Sequence, residues 1–408
     1  MNSWNIRSHS WFKDNLSWAF VTVSLINALD RLGHKTMVVS TNGLNESLFI
    51  DKNKIANSIV GLQKFGPGKK QIDLDFCYTI PPNLPQRFLP NSRCKAVIYN
   101  YETDLWPRDW KRYYNLADLF FPSSNFSAEI FYINGVPKEK IFVIPHGVDT
   151  SVFNSTIPKI KLKTNKKFKF VAVVAPHLRK NIPDLLDCYC QAFTNKDDVC
   201  LVLKTKVYKH SDGLMDMKQP DKNPKGRKAF EIIIGDVFKN IVKRYGKKMP
   251  EIELLGGHVE NVASIYNSCH CHVTATGSEG FFLPGLEMMA SGLINIAPNY
   301  SGHLDYMNNK NSLLVDSYLR YAKPLEQYWG SSSKAKIGQI NKKHMIETMR
   351  LVVEKYEECK EKFAEPMRKT VELFSWERAA QMMLDAAEGN MEHYKPGTFD
   401  FKTYKMLK

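Results

Sequence analysis

The sequence predicts an α/β protein built as two doubly wound, Rossmann-like domains that face each other across a cleft. Three observations predict it. At 408 residues the chain is too long for one ordinary hydrophobic core, and two domains are the natural division. Short apolar runs alternate with helical patterns along most of its length, as parallel strands joined by crossover helices do. A lysine-rich stretch, residues 158–169, then separates one such series from the next. The expected division is a first domain at 1–157, the linker at 158–169, and a second domain from 170 onward.

Taken in order, residues 16–29 (LSWAFVTVSLINAL) read as a buried first helix, closed by Gly33 as a left-handed cap. First-domain strands are expected at 35–40, 74–80, 95–100 and 141–144. Second-domain strands are expected at 170–175, 199–204, 251–255, 271–275 and 293–297, followed by a long charged helical region over 341–374. Ligands of doubly wound sheets bind beyond the carboxyl ends of the strands, so the cleft is the expected site.

Composition narrows the function classes. The apolar fraction of 43% and charged fraction of 24% are those of a globular protein. Eight scattered Cys without C-x-x-C spacing fit reduced thiols in a cytoplasmic compartment better than a disulfide framework. No apolar run approaches a membrane-spanning length. Residues 16–29 imitate a signal-peptide core, but Asp14 interrupts the basic flank and Asp30-Arg31 follows where small residues would be cleaved. The net charge of +15 is concentrated: residues 204–250 hold thirteen Lys or Arg against five Asp or Glu, and 156–170 add six Lys and no acid. Without a finger, an aromatic RNA motif or a long basic helix, this pattern argues against nucleic acid. It suits solvated loops, capture of anionic substrates, or peripheral contact with an anionic membrane at its inner face.

Residues 277–292 (GSEGFFLPGLEMMASG) are the most informative stretch. Glu279 and Glu287 are separated by seven residues and bracket Gly280 and Pro284. Proline favours the first helical turn, so a loop is expected to end near Leu283 and a helix to start at Pro284. Free N–H groups and the positive end of that helix would make an anion site flanked by two carboxylates. Acidic residues near helix starts also serve simply to offset the dipole, and the segment alone fits either reading.

This block resembles the Glu-x7-Glu signature of the family-4 retaining glycosyltransferases, which have the two-domain GT-B fold. Residues 124–153 (SNFSAEIFYINGVPKEKIFVIPHGVDTSVF) resemble the end of that family's first domain, and 170–193 the strand, basic loop and helix that open its second. Phe374-Ser-Trp-Glu resembles the start of its final helix, which implies a second domain at 170–375 and a helix and tail at 376–408 crossing back to the first. The resemblance implies catalytic roles for Arg179, Lys180 and Glu279: the two cations would grip a donor diphosphate and Glu279 would face the transferred sugar. Arg179 and Lys180 are adjacent here, whereas the family often spaces them. Glu287 would accept from the ribose hydroxyls, since two carboxylate oxygens suit a vicinal diol. Backbone groups of Gly280, Phe281, Phe282 and Leu283 would contact the phosphates and sugar. Lys204 would approach the base or a phosphate, and the stretch His258-Val259-Glu260 would lie near the base. Phe282 stands where the family more often has glycine.

On the acceptor side, Glu102 in the loop after strand 95–100 would bind a sugar hydroxyl or serve as a surface cap. The chain opens MNSWNIRSHSWFKDN, without the family's glycine-rich turn; the first strand is expected to be short or missing, with Ser8, His9, Ser10 and Asn15 lining a turn. His146 in the Pro-His-Gly turn reads as a structural residue near the hinge. Cys269-His270-Cys271-His272 invites a zinc reading, but adjacent ligands without a distant second pair fit structural zinc poorly. The implied reaction is glycosyl transfer from a nucleotide-diphosphate sugar, UDP- or GDP-linked, to a hydroxyl of a glycan or other acceptor. No cofactor and no metal is expected, because cations and a helix terminus replace a divalent ion. A nucleotide-sugar epimerase and a non-catalytic carbohydrate-binding relative are the alternatives on the same architecture.

Overall fold

A computed structural model describes residues 3–12, 17–44, 71–206, 232–256, 259, 261–323, 326 and 332–390. The first sheet contains β1 (Asn5–Phe12), β2 (Lys35–Leu44), β3 (Leu74–Tyr78), β4 (Cys94–Ile98) and β5 (Leu119–Phe121), all parallel in the order β2-β1-β3-β4-β5. The second contains β6 (Phe168–Val173), β7 (Val199–Lys204), β8 (Glu251–Leu255), β9 (Cys271–Val273), β10 (Ile294–Pro298) and β11 (Leu313–Val315), parallel in the order β11-β10-β9-β6-β7-β8. An antiparallel pair, β12 (Ser317–Tyr321) and β13 (Lys336–Ile340), stands beside them. The fold is α/β with two parallel sheets, as the alternating pattern predicts.

The helices follow from amphipathic patterns and local caps. The first, α1 (Ser17–Arg31), buries Val21, Leu25, Ala28 and Leu29 on one side, and Gly33 follows it at φ +88°. In the first domain α2 (Asn125–Ile133) starts at Ser124, whose side chain accepts from the Ser127 amide. The second domain adds α3 (Ile182–Ala192), α4 (Ile234–Tyr245), α5 (Val262–Tyr266) and α6 (Leu283–Ala290). The charged region predicted over 341–374 is two helices, α7 (Lys342–Glu354) and α8 (Tyr356–Glu372), parted where Lys355 leaves helical geometry at φ −116°, ψ 36°. Last comes α9 (Trp376–Glu388), which packs on α1, with Arg31 and Glu377 paired at 2.6 Å.

Three expectations need correction. The first strand is neither short nor missing: β1 runs eight residues and sits inside the sheet between β2 and β3. Ser8, His9 and Ser10 therefore belong to a strand and not to a turn; Asn15 lies outside the described residues. The apolar run 141–144 forms no strand but makes one bridge, Ile141 to Phe120, and the edge strand is the shorter β5. The misreading has a physical cause. Alternation of Ser and His with Ile6 and Phe12 in β1 looked polar, yet Ser8 and Ser10 are buried and satisfy each other at 3.1 Å.

The lysine-rich linker is pinned through its backbone. Amides of Lys163 and Thr164 donate to the Glu253 carboxylate at 3.0 and 2.9 Å, and Ser268 Oγ bonds Ile160 on both sides. The turn His146-Gly147 meets the start of α9 so closely that a Cβ on Gly147 would sit 2.3 Å from the Trp376 nitrogen. Only glycine permits that approach.

Candidate functional site

The second sheet reverses its strand order between β6 and β9, and the crevice beyond that switch point is where doubly wound sheets hold ligands. The loop after β6 carries Arg179 and Lys180, and the loop after β9 carries residues 277–282. Sheet topology thus brings together two segments about a hundred residues apart in sequence. Glu279 is 4% exposed and lies between both cations. Lys180 Nζ pairs with Glu279 Oε1, and Arg179 Nη1 lies 3.3 Å from Oε2. Arg179 Nη1 also donates to the Ser278 carbonyl at 2.7 Å, and its Nη2 reaches across to Glu102 of the first domain at 2.8 Å.

These contacts set the charges. Burial works to raise the Glu279 carboxyl, but Lys180 and then Arg179 overcome it and hold it down at about 2. Burial lowers Lys180, with Glu279 opposing. For Arg179 burial acts downward as well, and Glu102 with Glu279 reverse it to a net rise. The two cations thus face two carboxylates, Glu279 beside them and Glu102 from the first domain.

Glu287 is different. It sits in α6, partly buried, and accepts from the buried Tyr266 hydroxyl at 2.9 Å. Burial pushes its carboxyl up to about 7, against the pull of Tyr266. One carboxylate is therefore locked in an ion cluster while the other is poised to titrate near neutrality. Pro284 occupies the second position of α6, as its missing N–H favours, and Phe282 precedes the helix in a left-handed conformation, φ 74°, ψ 62°. A bulky residue there is strained by about 1–2 kcal/mol. Contacts hold it: the Phe282 carbonyl accepts from Tyr306 at 2.5 Å, and its ring lies near His272, His303 and the Lys180 ammonium.

The first domain closes on this loop. The Gly280 carbonyl accepts from Ser124 Oγ at 2.5 Å and Ser127 Oγ at 3.3 Å. Asn125 at the start of α2 donates from its amide to half-buried Asp305 at 2.8 Å. Asn100 holds the facing loop, accepting from Ser123 and donating to Tyr78. Gly302 packs so tightly that a Cβ would fall 2.1 Å from the Gly280 oxygen.

Of the residues the sequence predicted, the fold brings Arg179, Lys180, Glu279 and Glu102 into direct contact and sets Glu287 behind them on α6. Gly280, Phe281, Phe282 and Leu283 are the loop and first turn of that helix, with Phe281 packed on His146 and Tyr306. His146 is buried among Tyr78, Phe281 and Trp376, and burial pushes it down to about 3. Lys204 ends β7, next to β6, where burial lowers its ammonium. Val259 packs partly buried against the core; His258 and Glu260 lie outside the described residues. His9 and Ser10 are not with this cluster: Ser10 Oγ accepts from the Tyr78 amide at 2.9 Å, and His9 Nδ1 lies 3.1 Å from the Arg87 carbonyl. In the Cys-His-Cys-His run, His270 precedes β9 and stacks on Phe168, while His272 lies within β9 and bonds Asn295. Sequence reasoning missed Tyr266, Ser301 and Asp305. They act by hydrogen bonds formed only across the fold; Ser301, which accepts from the Glu279 amide at 2.9 Å, carries a positive φ of 89° that no motif announces.

No protein-family model matches the chain, and no curated protein sequence does. Solved structures do match. A glycosyltransferase from Rickettsia africae is 14% identical, with 96% of this chain and all of that one covered at a TM-score of 0.65. The fold is GT-B. Sucrose-phosphate synthase from Thermosynechococcus elongatus covers 95% of this chain and 98% of its own at 14% identity and TM-score 0.64. Anabaena HepE, solved with UDP and glucose, covers 95% and 100% at 12% identity and TM-score 0.60. At such identities the likeness concerns the GT-B fold.

Proposed function

We propose that this GT-B chain is a retaining glycosyltransferase that moves a sugar from a nucleotide-diphosphate donor to a hydroxyl acceptor. The observation that carries the reading is the meeting of Arg179 and Lys180 with the loop and first turn of α6 at the β6/β9 switch point. A leaving diphosphate gains negative charge as the glycosyl bond breaks, and fixed cations with helix-start amides stabilise that change. Before the donor arrives, Glu279 and Glu102 neutralise the same cations; the diphosphate would take over part of that role. Glu279 then faces the sugar and Glu287 accepts from the ribose, steadied by Tyr266. Gly280 to Leu283, Lys204 and Val259 complete the donor half (170–375), and Glu102 belongs to the acceptor half (1–157), with 376–408 crossing between them. The departing diphosphate helps deprotonate the incoming hydroxyl on the same face, so no protein nucleophile is needed and the anomeric configuration is kept. No metal or other cofactor is required in this scheme. A cytoplasmic site of action, with peripheral contact to an anionic membrane, fits the basic linker and the basic stretch 204–250.

UDP-glucose is the first donor to test, because Anabaena HepE is solved in complex with it. Transfer to a panel of glycan acceptors is followed with chelator present, and the product's anomeric proton is read by NMR. An α-linked product from the α-configured donor is expected; a β-linkage, or dependence on manganese, would falsify the mechanism. Lys180→Ala should lower kcat more than it weakens UDP binding, since its charge matters most in the transition state.

A further inference from the structure

The first domain holds a positive charge that no described neighbour compensates. Arg87 follows the 3-10 turn Pro81–Gln86 and is only 7% exposed. Its Nε has no hydrogen-bond partner, and no described carboxylate pairs with its guanidinium. The nearby acids are committed elsewhere. Asp75 takes Arg7 at 2.8 Å, the Leu89 amide and Ser92 Oγ, while Asp73 takes the Asn5 amide and Arg93. Arginine does not shed its proton, so the charge stays and burial without a counter-ion is costly. His9 adds no second positive charge, since burial pushes it down to about 4 against the pull of the Arg87 carbonyl, with the Arg87 and Arg7 charges assisting burial.

The place matters as much as the charge. Strand order in the first sheet reverses between β1 and β3, so the crevice beyond them is its switch point, the counterpart of the β6/β9 crevice across the cleft. His9 stands on β1, and the Arg87 carbonyl that it approaches to 3.1 Å also accepts from Arg7 at 2.9 Å. A guanidinium fork is the group best shaped for a two-oxygen anion.

We propose that Arg87, seated with His9 at the β1/β3 switch point, binds an anionic group, phosphate or carboxylate, carried by the acceptor. The word acceptor rests on the glycosyltransferase reading; the anion site does not. The full chain, saturated with UDP so that the second-domain cations are occupied, is titrated by calorimetry at fixed ionic strength with glycerol 1-phosphate, inorganic phosphate and glycerol. Glycerol 1-phosphate is expected to bind at least as well as inorganic phosphate, with glycerol about tenfold weaker or worse. Arg87→Gln should weaken glycerol 1-phosphate about tenfold and Arg87→Lys less, with UDP affinity held within about twofold. Equal binding by Arg87→Gln and the wild type overturns the site, and a clear preference for inorganic phosphate overturns the acceptor assignment in favour of a free anion. Without added anion, Arg87→Gln should melt at or above the wild type; a markedly lower melting temperature would reveal a structural counter-ion and also overturn the site. If UDP fails to bind while the Arg87-dependent titration persists, the donor reading fails and the anion site stands.

Discussion

The two walls of the cleft solve the same problem with different chemistry. The second-domain wall gathers full charges, Arg179, Lys180 and Glu279, in near-complete burial and holds them by mutual ion pairs. The first-domain wall opposite uses neutral groups: Asn100, Ser123, Ser124 and Ser127 bond one another and the Gly280 carbonyl. Charge enters that wall through Glu102, which is spent on Arg179 of the other wall, and through Arg87 at the β1/β3 switch point. Buried charges are stable only when paired, so the charged wall is rigid and sensitive to single deletions. Neutral hydrogen bonds are worth about 1 kcal/mol each and can be exchanged as the halves move. The difference teaches which wall is preorganised by ion pairs and which is held by bonds that can be exchanged singly.

Removing Glu279 should break the charged wall most. Glu279→Gln leaves Lys180 without its carboxylate, and a loss of about 3–5 kcal/mol is expected in chemical denaturation at neutral pH. The pH dependence sharpens this. A carboxyl held down at about 2 contributes stability that is complete above its ordinary value of 4.5 and is lost as pH falls towards 2. The acid arm of the wild-type stability curve should therefore be steeper than that of the variant. Equal acid slopes would mean the cluster is not coupled to folding.

Next is Glu287, the carboxyl on that wall without a cation. Glu287→Ala should weaken UDP by about 1–3 kcal/mol in calorimetry. Raised to about 7 by burial, this acid favours the fold while protonated, a contribution present below 4.5 and lost as pH rises through 7. Ribose hydroxyls need the carboxylate, so UDP affinity should climb between pH 6 and 8 in the wild type and stay flat in Glu287→Gln. A flat wild-type profile removes the ribose assignment.

The cross-cleft pair gives a smaller effect of opposite sign. Glu102→Gln frees Arg179 from one of its carboxylates, and UDP binding should tighten about threefold. Weaker binding would instead place Glu102 among the groups that support the donor. Smallest is the neutral wall: Ser124→Ala removes a helix cap and the bond to Gly280, at about 0.5 kcal/mol of stability. A loss as large as that of Glu279→Gln would erase the contrast between the walls.

What the sequence by itself determined is the set of elements governed by local chemistry. Strand composition and alternation were enough for β6, β7 and β8, Gly33 for the end of α1, and Gly280 with Pro284 for a loop that turns into a helix. The Glu-x7-Glu spacing likewise pointed to residues 279–287 as the centre of interest, because both carboxylates are tied to that one helix start. Tertiary structure decided everything that depends on a distant neighbour. It made β1 a central strand by burying Ser8 and Ser10 against each other, a polar pattern that reads locally as a turn. It also split like residues into unlike roles. Glu279 is ionised because Lys180 and Arg179 come from a loop across the switch point, whereas Glu287 is raised by burial that the Tyr266 hydroxyl offsets only in part. Spacing along a chain fixes which groups share a helix or strand; the charge each one carries is set by what the fold lays against it.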